Sequence, residues 1–286
     1  MELFKKYLLS LCILVLVFAN IFVFQLDWQN SHKGLTFVVL DVGQGDALFI
    51  ESPTGTQIMF DVGPPRKVLG PLSQVMSPFD KSIDAVVITN PDADHIGGFL
   101  DILKTYQVGE VFSSGTISDS KTYKNLETEI KNKNIPNTLV KKGMRLDIGG
   151  GAVIDILFPD RDVSAWSTND GSVVARLSYG NTSIMLTGDA TKVTEKIILS
   201  ENSQNILRSS ILKVGHHGSR GSTSLEFAQA VLPLYSLISV GKSNKYGHPH
   251  QDALDILKQI NSDVFRTDML GSIVVKSNGD KLKFDF

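Results

Sequence analysis

Residues 89-TNPDADHIGG-98 place Asp92, Asp94 and His95 within four positions and follow them with a glycine pair. They continue a β-type run, DAVVIT (84–89), and lead into a helical pattern, IGGFLDILKTY (96–106). A tight turn from strand to helix lets the three side chains point one way, while Gly97 and Gly98 permit close backbone approach. Carboxylate and imidazole ligands together suit Zn²⁺, Mn²⁺ or Fe²⁺. A single Asp before a helix is ordinarily an N-cap, so the distribution of the other Asp and His residues has to decide between cap and ligand.

Outward from this turn the chain alternates β-type and helical segments. LTFVVLD (35–41), DALFIE (46–51) and QIMFD (57–61) come before it; AVIDILF (152–158), SVVARLS (172–178), TSIMLTG (182–188), SILKVG (210–215), SLISVG (236–241) and GSIVVK (271–276) come after. Helical patterns cover 122–132, 190–200, 222–234 and 251–260, and the polar 115–137 stretch reads as a helix with flanking loops. The first half opens with hairpins and the second mixes strands with helices. This predicts an α/β fold of two sheets with helices outside, a four-layer αββα sandwich over residues 35–286.

Against that outline the polar residues fall into place. Asp61 ends one strand, Asn90 to His95 follow another, Asp189 follows TSIMLTG, His216 and His217 follow SILKVG, and His248 comes shortly after SLISVG. In sheet-based folds ligands bind in the crevice outside strand ends, where loops from separate strands converge. Five such loops carrying Asp or His outweigh the capping reading of Asp94. Either histidine of the HHGS pair, taken alone, serves equally well as a structural hydrogen-bonding group.

Composition bounds the possibilities. With 286 residues, 42% hydrophobic and 20% charged, most of the chain should fold, and a net charge of −2 offers no general attraction to nucleic acid. Phosphate binding would need a local patch; Ser219, Arg220, Lys242 and Lys245 lie in the same loops and are candidates, although loop lysines are usually only solvated. The one cysteine, Cys12, leaves no disulfide and no thiolate metal site, so metal chemistry must use His and carboxylates. Tyr7 to Leu26 carries no charge and follows Lys5 and Lys6, which reads as one N-terminal transmembrane helix within residues 1–26, with the remainder extracytoplasmic. A cleaved signal peptide, cut after the small residues Val17 and Ala19, is the competing reading and would make the domain secreted.

FDVG (60–63), NPDADHIGG (90–98), LTGDA (186–190), KVGHHGS (213–219) and NKYGHPH (244–250) occur in an order that resembles the metallo-β-lactamase superfamily. DVGQGDA (41–47), TNDGS (168–172) and the pairing of HHGSRGS with YGHPH resemble, within it, the hydrolase domain of ComEC-type DNA-uptake competence proteins. The resemblance covers about residues 35–286 and implies a one- or two-metal site used to hydrolyse a phosphodiester or related bond. It implies metal ligands among Asn90, Asp92, Asp94, His95, Asp189 and His248, with Zn²⁺ or Mn²⁺ as cofactor and Asp61 supporting a ligand histidine from behind. Asp94 then orients water, and His216 or His217 donates a proton to the leaving oxygen.

Two departures qualify what the resemblance implies. The family string begins with histidine where this chain has Asn90, and the third-motif histidine is absent from Thr168-Asn169-Asp170. An amide oxygen binds Zn²⁺ more weakly than imidazole, so one firm metal position and a second, weak or empty one are expected. Competence relatives also carry a polytopic channel, whereas this chain has one apolar segment, so a separate channel protein is an expected partner if DNA is its substrate. A metal- or nucleic-acid-binding module with a degenerate site, and an exported hydrolase of lactones or thioesters, are the alternatives, since a reused fold does not fix the substrate.

Overall fold

The computed structural model describes residues 7, 11–23 and 34–286. Residues 11–23 form helix α1, whose side chains are exposed. Among the described residues no helix is long and apolar enough to cross a membrane. The expected membrane-spanning helix is therefore not met by α1 itself, and residues 8–10 and 24–26 of the apolar stretch lie outside the described residues.

From Gly34 onward the chain runs through β1 (Leu35–Val39), β2 (Ala47–Glu51), β3 (Gln57–Val62), α2 (Leu69–Val75), β4 (Ser82–Ile88), α3 (Ala93–Ile96), α4 (Phe99–Thr105), β5 (Gln107–Ser113), α5 (Lys121–Asn132) and β6 (Asn137–Leu139). It continues through β7 (Arg145–Gly149), β8 (Ala152–Phe158), β9 (Val174–Tyr179), β10 (Thr182–Leu186), α6 (Lys192–Glu201), α7 (Gln204–Leu207) and β11 (Ile211–Lys213). A 3₁₀ turn over Gly215–Gly218, α8 (Leu225–Val231), β12 (Tyr235–Ile238), α9 (Gln251–Gln259), β13 (Asp263–Arg266), α10 (Thr267–Leu270), β14 (Ile273–Ser277) and β15 (Leu282–Asp285) complete it.

The strands form an eight-stranded sheet, β15-β14-β1-β2-β3-β4-β5-β6, and a seven-stranded sheet, β13-β12-β11-β10-β9-β8-β7. Alternate residues of β1 to β3 serve two cores. Phe37, Val39, Leu48, Ile50, Ile58 and Phe60 join Ile154, Leu177, Ile184, Leu186 and Leu237 between the sheets. Val38, Phe49 and Met59 face the other way, against Ile96, Phe99 and Ile102 of α3 and α4. Because both faces are covered, these strands read as continuous apolar runs rather than as an alternation. Beyond the second sheet, Met185, Leu212 and Val240 pack with Ile198 of α6, Phe227 of α8 and Leu257 of α9. The order of layers is helix, sheet, sheet, helix.

Strand direction places the loops. β3, β4 and β5 are parallel, and so are β10, β11, β12 and β13. Asp61 lies near the carboxyl end of β3, and the segments leaving β4, β10, β11 and β12 carry Asn90 to His95, Asp189, His216 with His217, and His248. They meet at one edge of the sandwich, the position that open α/β sheets use for ligands.

Three differences from the sequence reading have local causes. The single helix expected over 96–106 is two, α3 and α4, broken at Gly97 and Gly98. The helix expected over 222–234 ends at Val231, because Leu232 takes a left-handed conformation (φ 47°) ahead of Pro233. Strands β5, β6, β7, β13 and β15 have no counterpart in the expected elements; their exposed positions include Gln, Asn, Arg, Lys and Asp, which dilute the apolar signal. The glycine break is structural: a Cβ on Gly98 would lie 2.2 Å from the Val62 carbonyl oxygen, and one on Gly97 2.4 Å from the Ala93 oxygen. Gly98→Ala should therefore lower stability by about 1–3 kcal/mol, the range for overpacking a filled site, seen as a lower urea midpoint with unchanged slope. An unchanged midpoint would show that the turn can open without loss.

Candidate metal centre

The turn after β4 delivers His95 to a fully buried position between two carboxylates. Its Nδ1 donates to Asp61 Oδ2 at 2.7 Å, and its Nε2 lies 3.1 Å from Asp189 Oδ2. Asp61 is fixed in turn by the Thr89 backbone N–H (2.8 Å) and hydroxyl (2.6 Å), and its own backbone is left-handed (φ 57°). A histidine whose Nδ1–H is committed to a carboxylate has its ring orientation fixed and its Nε2 directed away from that carboxylate, the arrangement that orients metal-ligating imidazoles.

The second sheet supplies a matching unit. His217 is buried, its Nδ1 donates to the Ser239 carbonyl (3.0 Å) and lies 3.3 Å from Asp46 Oδ1. Its Nε2 faces Asp94 Oδ2 at 3.4 Å and Asp189 Oδ1 at 3.8 Å. Asp46 is held by Lys213, whose ammonium donates to Asp46 Oδ2 at 2.6 Å with both side chains buried. His216, at the rim, places Nε2 3.7 Å from Asp189, and the His248 ring lies 5.5 Å from that of His216 and 6.2 Å from that of His217.

Several polar atoms meet here without hydrogen bonds. Nε2 of His95, Nε2 of His217, Oδ1 of Asp189 and Nδ1 of His248 are buried and unpartnered, a condition that folded proteins seldom tolerate. The His95 to Asp189 approach is close but lacks hydrogen-bond alignment. Asp94, His95 and His217 can bring one ligand atom each to a common point, as can Asp46, Asp189 and His217. Two imidazole nitrogens with carboxylate oxygens fit a divalent transition ion.

Charge follows the same geometry. Burial pulls the His217 pKa down, but Asp189, Asp46 and its contacts with Asp46 and Asp94 outweigh that and push it up to about 10. His95 behaves alike, raised well above the usual value by Asp189 and Asp61 against the effect of burial. Burial acts against ionisation of Asp46, yet Lys213 and His217 hold its pKa at about 2. His248 goes the other way: burial and the neighbouring His217, His216 and His250 lower it to about 4.

The other expected site residues have hydrogen-bond partners or solvent around them. Asn90 is buried, with its side-chain oxygen accepting from the Asp92 N–H (2.9 Å) and its amide donating to Ser172 (3.4 Å). Asp92 accepts from the Thr168 hydroxyl at 2.9 Å. Ser219 accepts from the Gly221 N–H, and the Arg220 backbone N–H donates to His250 Nδ1, tying that loop to the His248 loop. Lys242, Lys245 and Arg220 are exposed, and the Lys245 ammonium lies over the Tyr246 ring. Asp46, Lys213, Thr89 and Ser239 were not among the expected site residues. Asp46 precedes a strand instead of ending one, but Lys213 had a readable signal, since a lysine in an apolar strand is seldom buried unless paired.

With the geometry described, comparison with known proteins is direct. The family described as the metallo-beta-lactamase superfamily matches residues 40–242. The chain belongs to this superfamily. It is 35% identical over 253 residues to ComE operon protein 3 of Bacillus subtilis (strain 168), covering 82% of this chain and 32% of that protein. It is 26% identical to Recombination protein 2 of Haemophilus influenzae, covering 96% of this chain and 32% of that protein. Competence protein ComA of Neisseria gonorrhoeae is 25% identical over 82% of this chain. The chain spans about a third of the length of these curated relatives. Among solved structures, CmlA, a diiron β-hydroxylase from Streptomyces venezuelae, superposes with TM-score 0.56 at 13% identity over 86% of this chain and 54% of that one. Zn²⁺-bound PqqB from Methylobacterium extorquens gives 0.50 at 10% identity over 80% of this chain and 97% of that one. At these identities the two share the fold.

Metal binding to this cluster should release protons. Without metal, His95 and His217 carry a second proton at neutral pH; with Nδ1 committed, that proton sits on the Nε2 a metal would need. Affinity for Mn²⁺ or Zn²⁺ should thus rise as pH rises from 6 towards 9, with about one to two protons released per ion near pH 7. Calorimetry in buffers of different ionisation enthalpy measures this, and binding that is independent of pH would contradict the protonated cluster. The metal-free protein carries the same linkage: a raised histidine pKa contributes stability that is full below its unfolded value near 6.5 and is lost as pH climbs towards about 10.

Proposed function

We propose that this chain is a metal-dependent phosphodiesterase that cleaves nucleic-acid strands in the context of DNA uptake. The observation that carries the reading is the set of buried, unpartnered nitrogen and oxygen atoms of His95, Asp189, His217 and His248, at the edge where loops from both sheets meet. The competence relatives favour a DNA substrate over a lactone or thioester. On this reading His95, Asp189, His217 and Asp94 hold one divalent ion, Zn²⁺ or Mn²⁺, with His248 completing the set. When bound, such an ion activates water as a nucleophile and draws charge from the phosphoryl oxygen.

The chain's own groups divide the remaining work. Asp94 is about a third exposed, so its carboxylate is within reach of a water molecule as well as of His217. His216 is the proton donor: its side chain is 27% exposed, and its Nε2 lies 3.7 Å from Asp189. His217 is unsuited to that task, being buried with Nδ1 committed to Ser239, so of the two candidates His216 is retained. His248, with its pKa lowered to about 4, is neutral at working pH and available as a ligand.

One ion per chain is the proposed stoichiometry. A second position would draw on Asn90 and Asp92, and there an amide oxygen, which already accepts from the Asp92 N–H, stands in place of a more strongly binding imidazole. If DNA passes through a membrane beside this domain, a separate channel protein would be its partner.

Two substitutions test the assignment together. Asp189→Ala should abolish both metal content, measured by elemental analysis, and cleavage of bis(p-nitrophenyl) phosphate. His216→Gln should keep about one ion per chain while lowering kcat by roughly 10²–10⁴-fold, the usual contribution of a general acid. Wild-type protein that binds metal but hydrolyses no phosphodiester would leave the binding-module reading in its place.

A further inference from the structure

The buried centre is connected to the surface by a line of rings that ends in one the hydrolytic chemistry does not use. His95 and His217 lie 5.6 Å apart between ring centroids, His217 and His248 6.2 Å, and His248 and Tyr246 5.6 Å. The last pair is nearly parallel, with 22° between planes, and Tyr246 is 53% exposed. One ring face of Tyr246 rests on a candidate ligand of the metal centre, and the residue reaches solvent.

Exposed tyrosines are common, and most have no role. This one is held in place. Asn244 accepts from the backbone N–H of Tyr246 (3.1 Å) and of His248 (3.0 Å), and donates to the carbonyls of Gly241 (3.0 Å) and His248 (2.7 Å). A single side chain therefore locks the loop from 241 to 248. The Lys245 ammonium lies 5.1 Å from the Tyr246 ring centroid, within cation–π range. A rigid aromatic face beside a phosphodiesterase centre, with a cation next to it, has the two elements by which proteins bind single strands: a ring for the base and a positive charge for the backbone.

We propose that Tyr246 is a stacking platform for one unpaired nucleobase of a single-stranded polynucleotide, with Lys245 pairing to the phosphate of that nucleotide. The inference rests on the phosphodiesterase reading and adds to it a preference for strands that carry accessible bases. A paired base keeps its faces inside the duplex, so duplex DNA gains nothing from this ring. Because the platform touches His248, the nucleotide it holds is a near neighbour of the scissile bond.

The test compares the full chain with Tyr246→Ala, Tyr246→Phe and Tyr246→Trp, under chelator so that nothing is cleaved. Fluorescence anisotropy reads binding to an oligothymidylate and to an abasic oligomer with the same number of phosphates. Wild type should bind the thymidylate about tenfold more tightly, the usual worth of one stacked base. Tyr246→Ala should lose that preference and bind both oligomers alike, while the Phe and Trp variants keep it. Absence of a preference in wild type, or its survival in Tyr246→Ala, would overturn the platform. Hydrolysis of bis(p-nitrophenyl) phosphate by wild type with Mn²⁺ separates the two claims. Turnover without base preference removes the platform alone; absence of both turnover and oligomer binding removes the phosphodiesterase reading with it.

Discussion

The site depends on a buried ion pair between the two sheets. Asp46, just ahead of β2 in the first sheet, reaches across to Lys213 at the end of β11 in the second, with 2.6 Å between charged atoms and both side chains inaccessible. Such pairs are weak contributors to net stability, because desolvation offsets most of the attraction. Removing one partner is another matter, costing about 3–5 kcal/mol because an uncompensated charge stays buried. Asp46 also faces His217, so this contact fixes the distance between sheets where groups from both must converge on one point. Asp94 and His95 come from the first sheet, and Asp189, His217 and His248 from the second.

A parallel follows from that constraint. Each buried histidine is backed by a buried carboxylate, Asp61 behind His95 and Asp46 behind His217, and each carboxylate has a further donor, Thr89 or Lys213. Both Nε2 atoms are thereby aimed inward before any ion arrives. The backbone around them is unusual as well: Asp61, His216 and His217 all adopt φ between 47° and 57° without being glycine. Left-handed backbone at three such residues costs energy and persists where surrounding contacts over-determine it, as in functional loops. Here those contacts are the hydrogen bonds of Thr89, Ser239 and Gly188, the last accepting from the His216 N–H.

Much of this was legible in the sequence, for a physical reason. Strands covered on both faces, such as QIMFD and TSIML, are apolar in their middles, so polar residues appear towards the ends where the strand leaves the core. That contrast marks Asp61, Asp189, His216 and His217 without reference to any fold. Asp46 escaped because it precedes its strand, and its charge is neutralised by a lysine 167 positions away, a pairing that no local pattern displays. Asn90 and Asp92 could not be placed from spacing: whether a turn side chain faces a site or caps its own backbone depends on the turn, and the Asn90 oxygen caps the Asp92 N–H. The exposed edge strands β13 and β15 were invisible for the opposite reason, having too little burial to impose a pattern.

The division between scaffold and loop bears on how substrate choice is set. Groups aimed at the centre are locked by both cores and by the Asp46–Lys213 contact, so changing them alters whether the site forms at all. The 241–250 loop is attached differently: Gly241 donates to Gln44, Asn244 closes the loop on itself, and His250 meets Arg220 through one backbone N–H. Its outward residues, Lys242, Lys245 and Tyr246, take no part in either core. Lys242 and Lys245 can vary without disturbing His248, whose backbone is held by Asn244 and whose ring packs on His216, His217 and Tyr246. A fold built this way keeps its centre constant while the rim sets which molecules reach it, which is why shared architecture with a β-hydroxylase and with PqqB says little about substrate.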